Sequence, residues 1–247
     1  MPRPNAFVFA EPLEHYVEWG SCVLREVVAA HRRPWMDVVE LAGRDANAAS
    51  IEAAIDSVDP ILFAGIGHGG ESVWTCECQE VYMRACDSRA AKMAGRVVVL
   101  NSCLTGRALG PDLVSKGALA YFGSTDLFWF YIGSPPCNDR ASRAVFLCEL
   151  QSVASLMDGR TTGEAHRDRL ARYDEEVEYW TTGPGRTHPH APIIADVLII
   201  DKSIAVMLGR SDVRVAQPIA PVVARPINVA LTVLPLAFGF TWYQSCR

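Results

Sequence analysis

Short apolar runs, spaced as in strand, helix, strand units, constrain this chain more than any other feature. They include Phe7-Val8-Phe9-Ala10, Ile61-Leu62-Phe63-Ala64, Val97-Val98-Val99-Leu100 and Ala118-Leu119-Ala120-Tyr121-Phe122. Runs of this kind are strands buried on both faces. With helical patterns between them, they predict an α/β fold built on a mostly parallel sheet with helices on both faces.

The spacing predicts a first strand over residues 5–10, a helix from Leu13 to Ala30, a second strand from Met36 to Leu41 and a helix from Asn47 to Ser57. A third strand starts at Pro60 and ends in the Gly-rich turn at His68. Residues 70–90, with Trp74 and Tyr82, read as a hairpin or irregular excursion. The fourth strand is Arg96 to Leu100, and the helix after it, Arg107 to Lys116, stops at Gly117, a residue type common just past a helix end. The fifth strand is 118–122. Two longer helices follow, Asp139 to Met157 and Gly163 to Trp180, the latter charged enough to be a solvated outer face. Val197-Leu198-Ile199-Ile200 and Ile204 to Leu208 read as a closing hairpin.

At 247 residues the chain is long enough for one large domain and an appendage, and the boundary falls at 214/215. A net charge of −5, with lysines and arginines scattered among acidic neighbours, argues against nucleic acid as a partner. Met1 to Asn5 leads straight into a strand-like run without a signal-peptide pattern, which gives a cytoplasmic expectation and, with it, reduced cysteines. Cys76, Cys78 and Cys86 form a local cluster without the paired C-x₂₋₄-C spacing or the fourth ligand of a structural zinc site, so no metal is expected. From Pro226 to Tyr243 the chain carries no charge, and Trp242 and Tyr243 sit where a membrane interface would fall. Pro235 would kink a helix there, so the segment reads as a membrane anchor or as a docked apolar strand, a partner-binding segment or a disordered end.

Two strings at strand ends carry the chemistry: Gly67-His68-Gly69-Gly70 and Asn101-Ser102-Cys103-Leu104-Thr105-Gly106. If the third and fourth strands are parallel, both strings leave the carboxyl edge of the sheet, where open α/β folds build their sites. A cysteine would then face a histidine, as a thiolate nucleophile and its base require.

The order of these strings, the spacing from His68 to Cys103 and the segment Gly117 to Thr125 resemble the caspase and gingipain superfamily of cysteine peptidases, in its gingipain-type or CHAT-like branch. The resemblance implies a caspase-like three-layer sandwich of strand order 2-1-3-4-5-6 over residues 1–214. It also implies a cysteine endopeptidase acting through an acyl-enzyme, with Cys103 as nucleophile, His68 as general base and acid, and an oxyanion hole from the amides of Gly69 and Cys103. Cys103 would lie near the amino end of the next helix, which lowers a thiol pKa. In the implied strand order Glu11 neighbours His68 and could orient it. Metacaspases carry Asp two residues before the cysteine, for a basic substrate side chain. Asn101 stands there in this chain, which leaves Asp126 as the substitute carboxylate. The aromatics of Leu127 to Tyr131 read either as a pocket wall or as core and lid. The partners implied are a polypeptide substrate and a regulatory protein, with no cofactor. The alternative is a catalytically inactive module on the same fold. A different α/β enzyme finds no support, because no nucleophile elbow, P-loop or dinucleotide fingerprint is present.

Overall fold

The structure, a computed structural model, describes residues 2–14, 16–133 and 137–217. The elements in chain order are β1 (Arg3–Glu11), α1 (Val17–His31), β2 (Asp37–Ala42), α2 (Ala48–Val58), β3 (Pro60–Ile66), β4 (Gly69–Gly70), β5 (Val73–Thr75) and β6 (Val81–Arg84). They continue with α3 (Ser88–Lys92), β7 (Val97–Asn101), α4 (Leu109–Ser115), β8 (Ala120–Ser124), α5 (Arg140–Glu149), α6 (Gln151–Met157), α7 (Thr162–Thr181), α8 (Ala191–Ile204) and β9 (Ala205–Gly209). The main sheet has the order β2-β1-β3-β7-β8-β9, which is the expected 2-1-3-4-5-6. β2, β1, β3, β7 and β8 run parallel, and β9 closes the sheet antiparallel to β8.

Alternation along the strands divides the interior in two. Phe7, Phe9, Leu62, Ala64, Val97 and Val99 face a core shared with α1, α5 and α7, while Val8, Ala10, Phe63, Val98 and Leu100 face α2, α4 and the excursion. The excursion is a small antiparallel sheet, β4-β5-β6, and its Trp74 and Tyr82 pack at right angles to each other over Phe63. Asn47 and Asp87 cap α2 and α3, and Thr161 with Glu164 forms a capping box on α7.

The closing element differs from the expected hairpin. Val197 to Ile200 belongs to α8, and only Ala205 to Gly209 is a strand. Four adjacent apolar residues resemble a strand. The buried positions Ala191, Ile194, Ala195, Leu198 and Asp201, however, recur at helical spacing behind Pro192 in the first turn.

Cys22 on α1 and Cys137 just before α5 are joined by a disulfide, with Cα atoms 5.7 Å apart. This corrects the expectation that all cysteines are reduced, since α1 packs along α5 and brings the two together. Among the described residues the one candidate metal-ligating group is this pair with Glu26, and both of its sulfurs are already bonded. Cys76 is buried, whereas Cys78 and Cys86 are exposed. The tail expected to contact a membrane, 226–243, lies outside the described residues. Among those described, no helix is long and apolar enough to cross a bilayer.

Candidate active site

β3 and β7 pair with Ile66 opposite Asn101, so the turns that follow leave the sheet edge side by side. Gly67 N–H donates to Asn101 O at 3.3 Å, and the next residues, His68 and Ser102-Cys103, line one cavity of about 60 Å³. Tyr16, Val17, Ile66, Phe128, Phe130 and Phe146 supply its apolar walls.

The backbone of this corner is tightly specified. Thr75 holds the His68 carbonyl with both its N–H (3.0 Å) and its hydroxyl (3.2 Å). A Cβ on Gly69 would lie 2.2 Å from the Cys103 carbonyl oxygen, so only glycine fits between the two turns. Leu104 is left-handed (φ 62°), a strained conformation fixed by Leu104 N–H to Asp126 O (3.0 Å) and Thr105 N–H to Cys103 O (2.7 Å). Below it the hydroxyls of Ser102, Thr105 and Tyr121 form a buried chain.

The bond from Thr75 N–H to His68 O makes Gly69 and Trp74 a non-hydrogen-bonded pair of the β4–β5 ladder, which leaves the Gly69 N–H outside it. The Cys103 N–H likewise has no backbone acceptor among the described residues. These are the two amides expected to form the oxyanion hole.

Glu14, not Glu11, is the carboxylate beside His68. Its Oε1 lies 3.8 Å from His68 Nε2, at ion-pair range, and burial raises its pKa against the pull of His68. Glu11 shares the parity of Phe7 and Phe9 and therefore points under α1, where its Oε2 accepts from Arg25 Nε at 3.0 Å. Burial pushes Glu11 up to about 7 despite Arg25.

Cys103 also departs from expectation. α4 begins only at Leu109, so the Leu104 turn separates its amino end from Cys103. Burial raises the thiol pKa, and the Phe128 N–H, donating to Sγ at 3.4 Å, opposes this.

Asn101 is buried on the cavity wall with its Nδ2 unpaired. Asp126 stays outside the cavity lining, because Arg107 Nη2 holds its carboxylate at 2.9 Å while Nη1 binds Glu71. It therefore does not supply the free charge expected of it. Its neighbours do form a wall: the 125–133 segment is anchored by Trp129 N–H to Asp201 Oδ1 (3.0 Å) and by Gly133 N–H to Ser142 Oγ (2.8 Å). Sequence reasoning missed Asp201, a residue of α8 that read as a hairpin turn. Burial pushes it up to about 8.

Glu11 and Asp201 thus hold protons more tightly in the folded chain than in the unfolded one. Their stabilising effect is complete below about pH 4 and is lost as pH rises through 7 and 8. Chemical unfolding at several pH values should show stability falling across that window, by about 1.4 kcal/mol for every tenfold difference in proton affinity between the folded and unfolded chain. The double variant Glu11→Gln, Asp201→Asn should flatten the slope.

No protein-family model matches the chain, and no curated protein matches it either.

Proposed function

We propose that this chain is a cysteine peptidase on a caspase-like three-layer sandwich. The reading rests above all on His68 and Cys103 lining one cavity from the paired ends of β3 and β7. The Cys103 proton passes to His68 as Sγ bonds to the substrate carbonyl carbon, and the oxyanion takes the Gly69 and Cys103 N–H groups. The carbon–nitrogen bond breaks as His68 returns the proton to the leaving amine. Water, deprotonated by His68, then cleaves the thioester and restores the thiol. With Nε2 toward Glu14, Nδ1 is the ring nitrogen left for this exchange. The substrate is a polypeptide, and a cytoplasmic location, a regulatory partner and a membrane contact through 226–243 belong to the same proposal.

The raised Cys103 thiol favours a second reading, an inactive binding module on the same fold. Alkylation separates the two. Iodoacetamide should modify Cys103 at a rate that falls at least several-fold in His68→Ala, whereas equal rates in the two proteins would leave the binding module.

A further inference from the structure

We propose that the cavity into which Cys103 opens selects an uncharged apolar side chain, aromatic or large aliphatic, on the substrate residue whose carbonyl is attacked. The inference rests on the peptidase reading and names its substrate class. Phe128, Phe130 and Phe146 form a triangle of rings with centroids 5.1–6.3 Å apart, and Val17 and Ile66 complete the apolar lining next to the sulfur. This cavity continues past Tyr16, His68, Phe128 and Phe130 into a groove of about 360 Å³ walled by Trp129 and Ile132, both about half exposed. An exposed apolar patch of this kind, continuous with a nucleophile, fits an apolar chain segment.

Charge complementarity gives the same answer by elimination. Among the described residues no lysine or arginine lines either cavity, so an acidic side chain finds no permanent cation there. None of the nearby carboxylates Glu14, Asp126 and Asp201 lines either cavity: Glu14 faces His68 Nε2 at 3.8 Å, Arg107 holds Asp126, and Asp201 accepts from the Trp129 N–H behind the wall. A basic side chain would therefore enter without a counter-charge, and unpaired charge is strongly excluded from an apolar site. Among the described residues of the lining, the side chain with a buried, unpaired polar atom is Asn101, whose Nδ2 donates to a substrate oxygen and offers a cation no counter-charge.

The test uses the full chain and a set of peptidyl chloromethyl ketones that differ only in the terminal residue: Phe, Leu, Arg, Lys or Asp. Sγ displaces chloride to form a thioether, and modification of the Cys103 peptide is timed by mass spectrometry in the wild type and in His68→Ala. The Phe and Leu reagents should react roughly tenfold or more faster than the charged ones, and His68→Ala should slow them. Trp129→Asp, a change at an exposed side chain, should narrow the gap in favour of Arg and Lys. A charged reagent reacting fastest, or equal rates throughout, with dependence on His68, would overturn the apolar preference and leave the peptidase standing. If no reagent labels Cys103 in a His68-dependent way, both fall.

Discussion

Replacing His68 with alanine is expected to lower kcat/KM for peptide hydrolysis by roughly 10²–10⁴-fold, the range that a positioned acid and base contributes. Cys103→Ala should abolish turnover and the acyl-enzyme burst together. The effect of losing the base is large because burial holds the Cys103 thiol protonated, so little thiolate exists until His68 takes the proton. Glu14→Gln keeps the shape of the side chain beside His68 and removes its charge, and its loss of rate should be smaller than that of His68→Ala. None of these changes should disturb folding, since His68 is about half exposed and Cys103 lies at a cavity wall. Thermal unfolding of each variant checks that assumption. Loss of activity with an unchanged transition is the expected pair of results.

The largest effect on stability is expected at Arg169. Its guanidinium is fully buried and holds Glu149 through Nη2 (2.6 and 2.5 Å to the two oxygens) and Nε (3.1 Å), while Tyr173 donates to the same carboxylate. It also donates to the carbonyls of Gly123 on β8 and Val206 on β9, joining α7 to α5 and to the antiparallel edge of the sheet. Removing it strands a carboxylate without solvent. Arg169→Met should therefore cost about 3–5 kcal/mol in denaturant unfolding, whereas adding Glu149→Leu should restore a good part of the loss. A double variant as unstable as the sum of the singles would mean that the two residues do not act as a pair.

The mostly parallel sheet follows from the length and spacing of the apolar runs, its strand order was implied by the resemblance, and the β3–β7 register brings the His68 and Cys103 turns to one cavity. Positions without periodicity were harder to read. Glu14 sits in the irregular turn between β1 and α1, where neither a strand nor a helix period says which way a side chain points. Glu11 was misplaced beside His68 by its closeness to the strand end, although counting by twos from Phe7 and Phe9 puts it on the α1 face. The Cys103 thiol depended on where the next helix starts. The Leu104 turn, invisible in composition, moved that start to Leu109. α8 shows the opposite error, because four adjacent apolar residues hid a stripe that Ala191, Ile194, Ala195 and Leu198 make plain.

The bond between Cys22 and Cys137 spans 115 residues and encloses every strand from β2 to β8, with His68 and Cys103 both inside the loop. A backbone cut between those two positions would divide the chain into pieces that still belong to one covalent molecule. Such a nicked protein would migrate as a single species without reductant and as two with it. The half bearing the histidine and the half bearing the cysteine would remain mated through one sulfur–sulfur link and the β3–β7 pairing.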